Sequence, residues 1–233
     1  MGADFPYLDE HTSFDFPPVE EATEEGIVAV GGNLSPGMLL SAYRQGLFPW
    51  YSEGDPILWW SPDPRFVLFP AELHLSRSLR KLLHKGVFGV TFDTHFKEVI
   101  EACSAIPRPG QRGTWITKEV VAGYCELHRL GYAHSVEVKL DGRLAGGLYG
   151  VALGEVFFGE SMFSFESNAS KVAFAALLER LATQGCSLVD CQVHTPHLAR
   201  FGAREIPRAD FLKLLREGLR RQTPRGIWTN FGA

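Results

Sequence analysis

A chain of 233 residues, 45% of them hydrophobic, is long enough for one large domain or two small ones and can bury a substantial core. Its net charge of −4 gives no global nucleic-acid signature, so a partner of that kind has to be held by a local basic patch. Cys103, Cys125, Cys186 and Cys191 show neither C-x-x-C spacing nor a disulfide framework, which suits reduced thiols in the cytoplasm, and no apolar run approaches the roughly 18 to 20 residues of a membrane-spanning helix.

Residues 1–25 are acidic and broken by Pro6, Pro17 and Pro18, with Phe5, Tyr7, Phe14 and Phe16 as scattered anchors. They read as an extended surface arm rather than a signal peptide. A strand over 26–30 and a turn at Gly31-Gly32-Asn33 lead into a helix capped by Ser35, with Pro36 first and Gly46 as its stop. Neither G-x-G-x-x-G nor G-x-x-x-x-G-K-[ST] is present, so a structural turn outweighs a phosphate cradle. Trp50, Trp59 and Trp60 follow among prolines. Their rings either stack on bases or pack between two domains, and packing is favoured for two of the three. The prolines near Ser61 set a boundary between a small N-terminal domain, 1–62, and a larger one, 63–233.

A helix over 75–85 turns Leu75, Leu79, Leu82 and Leu83 inward, while Arg77, Lys81, His84 and Lys85 recur at helical spacing as one basic stripe. With no acidic residue from 73 to 89, that stripe is either a solvated face or a seat for phosphates. A strand over 87–93 and a helix over 95–104 precede a Pro-rich loop, 106–113, which carries two arginines to Thr114-Trp115-Ile116. A helix over 118–130 comes next.

Strands over 134–140, 143–153 and 156–162, with the hairpin dipeptide Asp141-Gly142, make an antiparallel meander. In its last strand Val156, Phe158, Glu160 and Met162 share a face, which isolates Glu160 as a carboxylate in an apolar row. Asn168 or Ser170 caps a long helix to Gln184. In the strand over 187–193, alternation sets Leu188, Asp190 and Gln192 on one side and Val189, Cys191 and Val193 on the other. A buried, unpaired carboxylate is costly, so Asp190 and Gln192 are either a satisfied polar pair or a site. A basic helix over 208–221 ends the pattern. His194 and His197, split by Pro196, make a poor metal pair, and Ser161 lacks the second glycine of a nucleophile elbow.

Meander, helix, strand and further helix is the order of an acetyltransferase-like (GNAT-like) α+β fold with a mainly antiparallel mixed sheet. Acyl-CoA users of that superfamily open the long helix after [QR]-x-x-G-x-[GA]. Phe165-Glu-Ser-Asn-Ala-Ser-Lys171 stands here instead, and without glycines its amides cannot approach a pyrophosphate closely, so coenzyme A is a poor donor.

The blocks Gly46-Leu-Phe-Pro-Trp50, Leu58-Trp-Trp-Ser-Pro-Asp-Pro-Arg65, Gly113-Thr-Trp-Ile116, Gly159-Glu-Ser-Met-Phe-Ser164, Asn168-Ala-Ser-Lys171 and Asp190-Cys-Gln-Val193 together resemble the leucyl/phenylalanyl-tRNA protein transferase family, in that family's order. The resemblance runs from about Gly26 to Phe211. It implies transfer of leucine or phenylalanine from leucyl-tRNA or phenylalanyl-tRNA to the N-terminal Arg or Lys of a protein, which marks that protein for bacterial N-end-rule degradation. It also implies a small N-terminal domain before an acetyltransferase-like one, a cytoplasmic monomer, no metal and no coenzyme.

An aminoacyl ester is already activated, so the enzyme has to hold a neutral α-amine against the carbonyl and stabilise the oxyanion that forms. In the family the positions matching Asp190 and Gln192 are held to take the amine's proton. A primary amide is an extremely weak base, so the expectation here is that Gln192 orients the amine, Asp190 fixes it electrostatically, and Glu160 pairs with the incoming cationic N-terminus. Met162 and Leu148 are expected in the aminoacyl side-chain pocket, ordinary core being the other reading of Leu148. Such a pocket discriminates weakly, so methionine should also be accepted. Trp50 and Trp115 are expected at the terminal adenosine, and Arg77, Lys81, His84 and Lys85 at acceptor-stem phosphates. The chain departs from the family at Phe165 and Glu166, where many members carry a basic residue, and in a longer 106–113 loop. Two rival functions are transfer to a cell-wall peptide, and tRNA binding without chemistry.

Overall fold

The computed structural model describes residues 5–106, 114–223, 226 and 228, so most of the Pro-rich loop lies outside the described residues. Near the N-terminus, β1 (Ile27–Val30), β2 (Phe48–Pro49) and β3 (Leu58–Trp60) form an antiparallel sheet in the order β1-β3-β2. Between its first two strands runs α1 (Pro36–Arg44), with Pro36 at its start and residues 36–43 all buried. A helix apolar on every side needs cover all round, and the N-terminal arm supplies part of it. Asn33 Nδ2 donates to the carbonyls of Phe5 and Pro6, and Gln45 Nε2 donates to that of Phe14 at 2.7 Å. Gly46 has φ +82, and a Cβ there would come within 2.6 Å of Leu212.

The larger sheet has the order β10-β4-β9-β8-β7-β6-β5. Its strands are β4 (Arg65–Leu68), β5 (Gly89–Phe92), β6 (Ala133–Leu140), β7 (Arg143–Leu153), β8 (Val156–Ser164), β9 (Leu188–Gln192) and β10 (Arg204–Ile206). The neighbours are antiparallel except β8 and β9, which are parallel and joined by the crossover helix α5 (Ala169–Thr183). This is the α+β, mainly antiparallel mixed sheet expected from the sequence. Asp141 and Gly142 both adopt positive φ, as a two-residue hairpin with the native twist requires.

Helices cover both faces, and each face has its own apolar core. One holds Leu39, Tyr43, Tyr124, Tyr149, Phe158 and Phe211, beneath α1, α3 (Phe96–Ala105), α4 (Lys118–Arg129) and α6 (Arg208–Gly218). The other holds Phe66, Leu148, Phe157, Phe174, Val189 and Cys191, beneath α5, with α2 (Arg77–Lys85) packed beside it.

Several boundaries differ from the sequence reading. In α2, Ser76 accepts from Leu79 N at 3.2 Å, so Leu75 lies ahead of the helix. Asn168 stands at the N-cap of α5, but its side-chain Oδ1 accepts from Lys171 Nζ at 2.8 Å instead of capping a backbone amide. The terminal helix stops at Gly218, whose carbonyl is taken by Glu155 N at 3.0 Å. No helix among the described residues is long and apolar enough to cross a membrane.

Candidate active site

The site begins where two parallel strands part. β8 and β9 pair through Val156↔Leu188, Phe157↔Val189 and Phe158↔Asp190, and no pairing follows. Two residues later β8 carries a bulge: Gly150 faces Gly159 and Tyr149 faces Ser161, so Glu160 is the extra residue. A bulge turns the strand and re-aims its side chains. It also needs room, and a Cβ on Gly150 would stand 2.2 Å from the Phe158 carbonyl oxygen. The bulge corrects the expected face. Phe158 and Glu160 look towards Tyr43 and Tyr124, whereas Met162 is turned to the opposite side and packs with the α5 core.

A cleft of about 570 Å³ opens in the fork. Its walls come from both cores, so it is a slot running through the sheet. On one side are Phe48, Trp50, Trp115 and Tyr149; on the other are Leu148, Met162, Phe174, Val189 and Cys191. Leu148 and Met162 are direct cross-strand partners. Trp50 is 37% exposed, and its carbonyl accepts from Trp60 Nε1 at 2.6 Å. Trp59 is buried in the core.

Glu160 sits at the crossing of the slot. Tyr43 OH donates to its Oε1 at 2.7 Å, Tyr124 OH to its Oε2 at 2.9 Å, and Gln192 Nε2 to its Oε1 at 3.0 Å. The two phenol oxygens also touch one another. Burial pushes the Glu160 carboxyl up to about 7, with the nearby Asp190 charge adding to the rise while the phenols and the Gln192 amide oppose it. Burial and the Glu160 charge hold both phenols well above their ordinary value.

Asp190 is fully buried and is not part of the cleft wall. Arg65 on β4 grips it in a bidentate pair, Nε to Oδ1 at 2.9 Å and Nη2 to Oδ2 at 2.7 Å. Oδ1 also accepts from the backbone N–H of Gln192 at 2.9 Å. Both oxygens of Asp190 are therefore engaged by donors within the protein. Gln192 does line the cleft, in a left-handed backbone conformation with φ +64.

The basic stripe is not brought to the cleft. Arg77, Lys81, His84 and Lys85 are all exposed on α2, which lies beside α5. Phe165 is 58% exposed. Among the described residues no group of three or more His, Cys, Asp or Glu could hold a metal ion. Sequence reasoning missed Tyr43, Tyr124 and Arg65. The available signal was a phenol in an otherwise apolar helix, since a buried hydroxyl needs a partner.

Residues 67–216 match the family model described as leucyl/phenylalanyl-tRNA protein transferase, and residues 32–63 match the model of that family's N-terminal domain. The chain belongs to the leucyl/phenylalanyl-tRNA protein transferase family. Relatives carrying that name include one from Myxococcus xanthus (strain DK1622), 57% identical over 97% of this chain and 96% of its own. Another, from Syntrophus aciditrophicus (strain SB), is 61% identical over 92% and 90%. Membership makes this transferase an enzyme with an aminoacyl-tRNA donor and a protein acceptor. Solved structures that resemble the transferase in outline include a GCN5-related N-acetyltransferase from Kribbella flavida, with 11% identity and a TM-score of 0.36 over 73% of this chain and 61% of that one. An aminoglycoside acetyltransferase from an uncultured soil metagenomic sample aligns at 10% identity and a TM-score of 0.39, over 51% and 86%.

Proposed function

We propose that the enzyme moves leucine or phenylalanine, and methionine less well, from the tRNA ester to the N-terminal Arg or Lys of a protein, and so marks that protein for N-end-rule degradation. The observation that carries this reading is the Glu160 and Gln192 pair at the junction of an aromatic mouth and an apolar pocket. The terminal adenosine stacks at Trp50 and Trp115. The leucine or phenylalanine side chain enters between Leu148 and Met162, and the ester carbonyl stops beside Glu160.

An acceptor N-terminus, with an ordinary pKa of about 7.7 to 8, arrives largely as ammonium. Glu160, at about 7, is matched to take one proton from it. Gln192 gives its N–H to Glu160, which leaves its amide oxygen to accept from the amine and aim the lone pair. The C–N bond forms, the ester C–O bond breaks, and the second amine proton ends on the departing ribose oxygen. Asp190 acts on Gln192 and not on the amine.

On this reading residues 1–62 form a small domain that lends Trp50, residues 63–233 carry the chemistry, and Arg77, Lys81, His84 and Lys85 hold acceptor-stem phosphates. The enzyme works as a cytoplasmic monomer without metal or coenzyme. Incubation with radiolabelled leucyl-tRNA and a peptide beginning with arginine should label the peptide, and one beginning with alanine should stay blank. Absence of label with intact charged tRNA overturns the proposal.

A further inference from the structure

We infer that Arg65 is a positioning residue for the transfer: through Asp190 it fixes the backbone of Gln192, and through ring contact it braces the wall that carries Trp50.

Arg65 is wholly buried and takes no part in the cleft wall, so it touches neither substrate. It stands on β4, next to β9 in the sheet, where Phe66 pairs with Gln192 and Val67 with Asp190 across a register shift. The fork of a bidentate guanidinium fixes both the distance and the plane of a carboxylate, which a lysine cannot do. Held that way, Asp190 presents Oδ1 to the N–H of Gln192 at 2.9 Å. A non-glycine residue adopts the left-handed region only when its surroundings over-determine it. The Asp190 acceptor is one such constraint, and with φ at +64 the Gln192 side chain reaches back across the fork to Glu160.

The rest of the guanidinium serves the second wall. Its Nη1 is buried without a hydrogen-bond partner, and the carbon at its centre lies 4.8 Å from the Phe48 ring centroid and 4.5 Å from that of Phe211. A desolvated guanidinium over aromatic faces is attractive on both sides. Phe48 lines the cleft on the strand that leads to Trp50, so one side chain ties the end of β9 to the aromatic mouth. Elsewhere in the molecule, the groove between α2 and α5 and the buried Asp93 with His134 lack any comparable link to a reacting group.

The inference rests on the aminoacyl-transfer reading, and the experiment separates the two. A buried ion pair can be exchanged for apolar residues of similar volume without loss of stability, whereas removal of one partner leaves a buried charge. The informative variant is therefore the double change Arg65→Met with Asp190→Leu, assayed beside Arg65→Lys and the unaltered protein with leucyl-tRNA and an arginine-led peptide. If the unaltered protein transfers no label, the reading of function fails. If it does, the double variant should lose roughly 10²-fold in kcat, the scale of a misplaced reacting group, with a much smaller rise in its donor KM as the Phe48 brace behind Trp50 is lost. Arg65→Lys should fall between the two. Full kcat in the double variant overturns the inference. So does a rise in donor KM as large as the fall in kcat, in either variant, because a merely structural residue would produce that.

Discussion

Gln192 donates its side-chain amide to Glu160 at 3.0 Å, across a gap that the sheet itself has opened by ending the β8 and β9 pairing two residues earlier. The two residues close the fork like a crossbar. Leu148 and Met162 belong to the core on one side of that bar, and Trp115 packs against the core on the other.

Replacing Gln192 by Glu keeps the size of the side chain but sets a second carboxylate against Glu160. A like charge favours the protonated form, so the Glu160 carboxyl should rise beyond about 7. A base of higher pKa is freed only at higher pH. The acid limb of the kcat profile should therefore move to higher pH in Gln192→Glu, and a limb that stays in place would detach the pH dependence from Glu160.

Glu160→Gln tests the same carboxyl through stability. Its value rises from 4.5 to about 7 on folding, which corresponds to roughly 3 kcal/mol. Between those limits the folded protein keeps a proton that the unfolded chain has lost. That stabilisation is complete below pH 4.5 and is lost as the pH climbs through 7. Denaturant melts should find the variant and the parent alike near pH 4.5, and the variant the more stable by up to that amount above pH 7, while its transfer activity is abolished. Parallel melting curves across the range would contradict the raised value.

Trp50→Ala and Trp115→Ala should each weaken donor binding by about 1 to 3 kcal/mol, the range of one base stacked on an aromatic ring. The change should appear in the KM for charged tRNA, with kcat at saturation kept. An unaltered KM removes that tryptophan from the donor site.

Neutralising Arg77, Lys81 and Lys85 together removes exposed charges only, so the melting temperature should hardly change. The logarithmic salt dependence of tRNA binding should become shallower by roughly 0.7 to 0.9 for each phosphate that is no longer neutralised. An unchanged slope would make the stripe a solvated face, the plainer reading of its spacing.

The sequence was most legible where the determinants are local. The Asp141-Gly142 turn, the alternation of the meander and the glycine stops of α1 and α5 all concern residues within a few positions of one another, and they fold as read. Glu160 could be singled out because a carboxylate in an apolar row is a local anomaly. Its partners could not. Tyr43, Tyr124 and Gln192 reach it from α1, α4 and β9, and helical spacing says nothing about which distant phenol will face which acid. The bulge at Glu160 was hidden too, since one extra residue leaves the composition unchanged while reversing every face after it, Met162 included. Arg65 was visible only as part of a family block, because the value of a buried cation depends on a carboxylate 125 positions away.

That separation governs when the enzyme comes into being. β4 lies between β9 and β10, two strands that leave the ribosome only after most of the chain has been made. Until β9 emerges, Arg65 has no carboxylate to hold, the fork has one prong, and the slot has one wall. Contacts of such long range form late and close slowly. A polypeptide truncated before β9 thus contains Trp50, Trp115, the stripe and the tyrosines but lacks Asp190 and Gln192, and it should show no transfer.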